Sequence, residues 1–307
     1  MKTKIYLLIT FLFLVLAVSA QKFNVMYDGY WTNNTWVDTL KTTAAYDANG
    51  HVTTLTSQRW NSQTNTWDNA AIIAYALNGD GTIREMLIQG WLADNNTWMD
   101  FSKTTFTYSA SKKILSQTTQ IGGIDFVKIS YTYDTNDLLT NELVQTVFLV
   151  PTNSEQTNYT YNADGTENTN VVQSWNNQWV NSVRSTNTYN PPKKLASTLK
   201  EMWQNEAWGN ASKTTLTYNA NDSIAESLEQ IWANEAWVNS LKDSYSYNAN
   251  GNLVQVISQE WNSSGQWENT ARITYDYSTG TNHELAAMAF LAFPNPFIDQ
   301  LTIEGRS

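Results

Sequence analysis

From Trp237 to Tyr247 the chain changes character at every step. Trp237, Asn239, Leu241, Asp243, Tyr245 and Tyr247 interleave with Val238, Ser240, Lys242, Ser244 and Ser246. A period of two predicts a β-strand, here with Trp, Leu and Tyr on one face and Ser and Lys on the other. The next residues, Asn248-Ala249-Asn250-Gly251, contain an Asn-Gly step whose positive φ angles predict a tight hairpin turn. The chain then returns through Leu253, Gln255, Ile257, Gln259 and Trp261, alternating with Val254, Val256, Ser258 and Glu260. Asn49-Gly50 and Asp164-Gly165 fill the same turn slot, with Asp80-Gly81 slightly displaced.

This hairpin is one unit of a tandem array. All 14 tryptophans come in pairs: Trp31/Trp36, Trp60/Trp67, Trp91/Trp98, Trp175/Trp179, Trp203/Trp208, Trp232/Trp237 and Trp261/Trp267. First members are 29, 31, 84, 28, 29 and 29 residues apart, and the long interval is three periods, so two pairs are lost mid-chain from about nine units. In the degenerate units Ile121 and Phe126 stand where Trp is expected, and Val147 with Pro151 follows in the next. Polar residues between paired tryptophans, such as Asn95-Asn96-Thr97, predict a second kind of turn, so consecutive strands should pair antiparallel throughout. Pro191-Pro192 replaces the usual turn after Tyr189 and predicts a wider loop.

A single hairpin cannot repay the roughly 1–2 kcal/mol per residue that ordering costs. Stacked hairpins can, because each Trp buries about 150–250 Å² and pairs invite ring contacts, which makes the tryptophans the expected cement between units. A flat sheet would leave the shared Trp/Tyr/Leu face wet. The expected fold is therefore all-β, an antiparallel meander of hairpin repeats of ~29 residues, curled into a superhelical sheet or a wide barrel-like shell.

Composition narrows the setting. Lys2 and Lys4 precede an apolar run, Ile5 to Val18, that is too short to span a bilayer and ends at Ser19-Ala20, so residues 1–20 are expected to be a cleaved export signal. Loss of the two lysines takes the formal charge from −10 to −12, which opposes binding to nucleic acid. No cysteine is present, so disulfides and thiolate metal sites are excluded. No second apolar stretch approaches membrane-spanning length, and no membrane span is expected in the mature chain.

The run Tyr245-Ser246-Tyr247-Asn248-Ala249-Asn250-Gly251-Asn252-Leu253 resembles the YD repeats of Rhs-type proteins, and the Trp-bounded units resemble hairpin repeats of uncharacterised exported Bacteroidetes proteins. Both resemblances imply an antiparallel sheet that wraps on itself; neither implies an activity, since the Rhs toxin and autoproteolytic segments have no counterpart here. Phe293-Pro294-Asn295-Pro296-Phe297, followed by the alternating Ile298 to Ile303, is similar to the opening of a type A sorting domain of the type IX secretion system. That resemblance implies a sorting signal at Pro294, Asn295, Pro296 and Phe297, the type IX machinery as a partner, and a domain truncated at Ser307. The organisation expected is thus a signal at 1–20, a repeat domain at 21–277, a linker at 278–292 and the start of a sorting domain at 293–307. Asp38-Thr39-Leu40 and Asp222-Ser223-Ile224 resemble O-glycosylation sites of exported Bacteroidetes proteins.

Candidate chemistry is sparse. His51 and His283 are the only histidines, so no metal cluster or His-based triad can be assembled, and no cofactor is expected. Glu226 with Glu229, and Glu201 with Glu206, are the conceivable carboxylate pairs of a glycosidase, but Glu226 and Glu229 should point to opposite faces of one strand. Asn78-Gly79-Asp80-Gly81 with Glu85 lacks the full ligand series of a calcium loop and reads as a turn. Trp, Tyr, Gln and Asn together are what a sugar-binding face uses, and the Trp pairs resemble the aromatic hairpins of choline-binding cell-wall modules. The expected function is a non-catalytic secreted or cell-surface protein of adhesion, matrix or recognition. The alternatives are a carbohydrate-binding module that presents Trp36, Trp67, Trp98, Trp208, Trp237 and Trp267 to extracellular glycans, and a glycan-active enzyme.

Overall fold

The computed structural model describes residues 22–148 and 150–277. The expected export signal, linker and sorting segment, including Pro294, Asn295, Pro296 and Phe297, lie outside the described residues. Among the described residues eighteen strands follow one another without a helix. They are β1 (Val25–Thr32), β2 (Thr35–Tyr46), β3 (Val52–Asn61), β4 (Thr66–Leu77), β5 (Ile83–Leu92), β6 (Thr97–Tyr108), β7 (Ile114–Ile121), β8 (Ile124–Tyr133) and β9 (Leu139–Thr146). They continue as β10 (Thr152–Tyr161), β11 (Glu167–Trp175), β12 (Trp179–Asn190), β13 (Lys194–Gln204), β14 (Ala207–Tyr218), β15 (Ile224–Ala233), β16 (Ala236–Tyr247), β17 (Leu253–Trp261) and β18 (Trp267–Asp276). Each strand pairs antiparallel with its neighbours in sequence, and β1 pairs with β18, with Val25 opposite Asp276 and Tyr30 opposite Ala271. The nine hairpin repeats close into an 18-stranded barrel, one of the two curled shapes the pattern predicted.

The expected sharing of one face by Trp, Leu and Tyr is overturned by a β-bulge. Gln230 lies opposite Asn239 while Glu229 lies opposite Leu241, so Ser240 has no partner and alternation shifts by one. Trp237 and Asn239 therefore share a face with Lys242 and Ser244, whereas Leu241, Asp243 and Tyr245 occupy the other. The same bulge recurs in every repeat, at Thr39, Ala70, Phe101, Phe126, Ser154, Ser182, Ala211, Ser240 and Thr270. A second set of bulges sits near the opposite strand ends; the one at Val254 carries Leu253 to the face of Val256.

Burial identifies the concave face. Small mid-strand side chains of the Leu/Tyr face are almost fully covered, with Thr42 at 0%, Ser57 at 4% and Thr157 at 4% exposure, while Thr43 on the opposite face is exposed. Phe23, Met26, Leu55, Ile73, Met86, Ile88 and Tyr275 form one inward apolar cluster, and Ile129, Tyr131 and Val144 a second. The apolar clusters line the inner wall, where side chains cover one another at mid-height, and the Trp pairs lie on the outside.

The two rims use different turns. At one, Asn248 pairs with Asn252 across three residues, the Gly251 amide donates to the Asn248 carbonyl, and Gly251 alone has positive φ (79°). This is a type I turn with a G1 bulge, not the two-residue turn the Asn-Gly step predicted. Gly50, Gly81, Gly165, Lys112, Asp137 and Asp222 fill the same left-handed position, so Asp80-Gly81 is in frame. Pro191-Pro192 also keeps the frame, since Asn190 pairs with Lys194, and no wider loop results. Side-chain oxygens of Asp47, Asp134, Asn219 and Asn248 accept backbone N–H bonds from residues two and four further on, which explains the Asp or Asn that follows Tyr46, Tyr133, Tyr218 and Tyr247.

Just inside this rim runs a ring of clasps. The hydroxyls of Tyr46, Tyr108, Tyr133, Tyr161, Tyr189, Tyr218, Tyr247 and Tyr277 donate to the carbonyls of Phe23, Ile83, Ile114, Leu139, Glu167, Leu195, Ile224 and Leu253, at 2.6 to 2.9 Å. Each bond ties one Asn-Gly hairpin to the one before it. Leu77 holds the equivalent position in β4 and has no hydroxyl to give.

The other rim carries two-residue turns with both residues at positive φ, such as Asn33-Asn34, Asn205-Glu206 and Asn234-Glu235. In the β7–β8 hairpin Gln120 faces Asp125 and Ile121 faces Ile124, so Gly122-Gly123 sits where the Trp pair would be. That hairpin is two residue pairs shorter than β15–β16. Ile121 and Phe126 therefore do not replace Trp: Ile121 faces inward and Phe126 is the bulge residue.

Candidate functional site

Seven Trp pairs encircle the outside of this second rim. Within every pair the rings meet edge to face, with centroids 4.9 to 5.3 Å apart and planes at 62 to 66°. The geometry repeats because each pair occupies the last outward-facing positions before a turn, as with Trp232 and Trp237, beyond which only the inward Ala233 and Ala236 still face each other. Among the described residues every Trp–Trp ring contact is within a pair. The tryptophans thus hold adjacent hairpins together at their shared turn, and successive pairs do not stack.

Beneath four of the pairs lies an amide bridge: side-chain amides of Gln89, Gln173, Gln230 and Gln259 donate to Asp100, Asn181, Asn239 and Asn269, at 2.8 to 3.1 Å. The two hairpins without Trp keep the same bridge, from Gln120 to Asp125 and from Gln145 to Asn153, at 2.7 and 3.0 Å. A cationic belt follows, two residues past seven of the nine bulges: Lys41, Lys103, Lys128, Arg184, Lys213, Lys242 and Arg272. Arg184 lies over Trp208, Lys242 over Trp267 and Arg272 over Trp36, each about 5 Å from the ring centroid. Arg184 also pairs with Glu201 at 2.7 Å, and Arg272 with Asp38 at 2.8 Å.

The six tryptophans expected to stack on sugars, Trp36, Trp67, Trp98, Trp208, Trp237 and Trp267, all lie on this outer rim and are partly exposed. Trp36, Trp208 and Trp267 already carry a cation on one ring face, and Trp67 meets Tyr27 at 6.1 Å. The most exposed tryptophan is a first member, Trp232, at 37%. Sequence reasoning selected the second members; the belt that covers them depends on the bulge.

The lumen has a different chemistry. Asp28, Glu142, Glu155, Glu167, Glu229 and Asp243 point inward along the wall, and Asp68, Glu260 and Glu268 do so near the Trp rim. Against these nine carboxylates the inward strand positions carry two cations, Arg59 and Lys200. The negative charge of the chain is thus concentrated inside, while the outer belt balances the outer carboxylates. Inward apolar residues near the Trp rim are left open: Tyr30, Met99, Ile121, Ile124, Val180, Met202, Ile231 and Val238 are each 38 to 56% exposed. No inward residue of the Tyr ring is exposed, so the lumen opens at the Trp rim.

Glu142 is the most buried carboxylate of the wall, at 3% exposure. It lies opposite Tyr131 on one side and Thr157 on the other. Burial, and then the charge of Glu155, push its pKa up to about 7, tempered by the nearby Tyr159 hydroxyl. Burial likewise raises Asp28, helped by Asp38, and raises Glu155. The Tyr159 hydroxyl is buried beside the Glu142 carboxyl.

The remaining candidates are scattered. Glu226 faces outward and Glu229 inward, as their spacing required, and Glu201 belongs to the outer face while Glu206 sits in a turn. Asn78 to Thr82 is a turn of the common frame. His51 closes another and meets Asp47 at 3.1 Å; His283 lies outside the described residues. Thr39 is a half-buried bulge residue that donates to the Asp28 carbonyl, and Ser223 ends a turn. Among the described residues no three His, Cys, Asp or Glu are grouped to hold a metal ion.

No family model matches the chain, and no curated protein does. Solved structures to which it is similar include proteins from Bacteroides species. A porin-like protein from Bacteroides uniformis is 10% identical with a TM-score of 0.44, over 83% of this chain and 98% of that one. A porin-like protein from Bacteroides vulgatus is 9% identical with a TM-score of 0.37, over 84% of this chain and 100% of that one. A protein of unknown function from Bacteroides fragilis is 18% identical with a TM-score of 0.33, over 38% of this chain and 88% of that one.

Proposed function

We propose that this is a non-catalytic recognition protein of the cell surface or its surroundings, exported through the type IX route, with an adhesive or matrix role. The observation that carries this reading is repetition. A catalytic centre is a single constellation of unlike groups, whereas here an edge-to-face indole pair recurs in seven of the nine hairpins around a rim, four times above an amide bridge. Such a ring suits many weak, identical contacts made at once.

The belt argues for water outside the barrel. A membrane-spanning barrel carries an outward apolar band about 25 Å tall, and Lys or Arg at its middle costs about 2–4 kcal/mol each. Here seven of the nine even-numbered strands place Lys or Arg mid-height on the outer face. Porin-like names attach to the neighbours; the exterior of this chain does not suit lipid.

Glycans are the second reading, favoured by the exposed Trp232 beside amides that can bond hydroxyls. Titrating polysaccharides against their own disaccharides, with indole fluorescence as readout, tests both. The expected result is a response to the polymers that short sugars do not reproduce and that weakens as Trp pairs are removed. Turnover of a glycan, lost on replacing one carboxylate, would instead establish an enzyme, and channel formation in planar bilayers would overturn the water-bathed reading.

A further inference from the structure

We infer that the outer face of the last repeats binds an acidic polysaccharide, with Lys213 and Lys242 each taking the carboxylate of a uronate. This names the ligand of the glycan reading above and rests on it. Each of the last four belt cations stands at a junction, facing the residue two before the leading Trp of the next repeat. Arg184 faces Glu201, Lys213 faces Gln230, Lys242 faces Gln259, and Arg272 faces Gly29 across the closing pair of strands. Opposite that residue in its own hairpin stand Asn210, Asn239, Asn269 and Asp38. The two arginines show what a junction holds. Glu201 gives Arg184 a carboxylate from the first of these positions, and Asp38 gives one to Arg272 from the second. A side chain at Gly29 would collide with that second carboxylate, its Cβ coming within 2.7 Å of Asp38 Oδ1. Both guanidinium groups lie over an indole of the next repeat, Trp208 and Trp36.

The two junctions between these have the cation and the indoles but no acid. Both carboxylate positions are amides, Gln230 with Asn239 and Gln259 with Asn269. Lys242 lies 4.9 Å over Trp267, as the arginines lie over their indoles. Among the described residues neither Lys213 nor Lys242 forms an ion pair. A carboxylate arriving from outside meets there the charge that Arg184 offers to Glu201 and Arg272 to Asp38. The rest of the junction suits a sugar as its carrier. Trp232, the most exposed indole, offers its plane to a pyranose ring, and the Gln carbonyl oxygen and Asn nitrogen left over from each amide bridge can bond hydroxyls. The two open junctions are two strands apart, about 10 Å, so uronates on alternate sugars of one extended chain reach both.

Isothermal titration calorimetry of the full mature chain with polygalacturonate, with the same polymer methyl-esterified, and with polyglutamate tests the assignment. Polygalacturonate should bind, and less tightly as salt is added. Esterification should weaken binding about tenfold or more, and so should Lys213→Gln combined with Lys242→Gln. Gln230→Glu should weaken it too, by filling from within the place that Glu201 fills beside Arg184. Glu201→Gln should strengthen it, by opening a third junction. Lys113→Gln, in a turn of the opposite rim, removes the same charge and should change nothing. Equal or tighter binding of the esterified polymer, or binding indifferent to the changes at Lys213, Gln230 and Lys242, would overturn the inference and leave the glycan reading standing. Polyglutamate bound as tightly as polygalacturonate would overturn the sugar as carrier. Failure of both polysaccharide forms would overturn the inference as well, and the glycan reading with it only if the neutral polysaccharides also fail to bind.

Discussion

The hydroxyl of Tyr218 donates to the carbonyl of Leu195 at 2.7 Å, reaching from the end of β14 to the start of β13. One hairpin is thereby fastened to its predecessor by a residue that, in sequence, looks merely like the last apolar position of a strand. Tyr218→Phe keeps the ring and leaves a half-buried carbonyl unbonded. The expected cost is about 1 kcal/mol, or a fall of about 2–4 °C in melting temperature for a chain of this size. Leu77→Tyr, in the repeat that lacks the clasp, should move the temperature the other way by supplying a bond to Val52; calorimetric melts of both variants check the pair.

Glu142 makes stability depend on pH in the sense opposite to an ion-paired carboxylate. Its pKa rises from an ordinary 4.5 to about 7 on folding, so between these values the folded state binds more protons than the unfolded state. Stability contributed by the protonated acid is therefore present at low pH and lost as pH rises through about 7, by as much as about 3 kcal/mol. Glu142→Gln should be more stable than the native chain at pH 8 and nearly equal to it at pH 4. Denaturant midpoints at the two pH values check this, and an equal effect at both would refute it.

Ser240 shows what one unpaired residue controls. Its deletion removes the bulge between Asn239 and Leu241, so either Trp237 loses its place opposite Trp232 or Leu241 and Tyr245 turn outward. The expected outcome is the loss of one indole pair's share of the far-ultraviolet exciton signal together with a lower melting temperature. Retention of both would show that the bulge does not set the faces.

Much of the architecture was legible in the chain. The period of two, the turn residues and the spacing of the tryptophans announced nine antiparallel hairpins, and the need to cover an aromatic face announced that the sheet would curl. What was hidden traces to the bulges. Thr39, Ser182 and Ser240 are ordinary strand residues without a glycine to mark a break, so alternation read straight through them placed indoles and tyrosines together. The shortened β7–β8 hairpin was hidden for a related reason, since Gly122-Gly123 replaces the pair itself. The inward carboxylates were equally invisible, because only the corrected register separates Glu155, Glu229 and Asp243 from the outer belt.

Closure of the ring is the claim on which the lumen, its charge and its opening all depend. The chain has no cysteine, so spin labels can be placed through single cysteines at Tyr27 and Thr274, which face each other across β1 and β18. Double electron–electron resonance, or continuous-wave broadening at short range, should report a distance of about two nanometres or less, the reach of two labels on adjacent strands about 5 Å apart. An open sheet of eighteen strands would separate the same labels by up to about 80 Å, and a population at several nanometres would contradict the closed barrel.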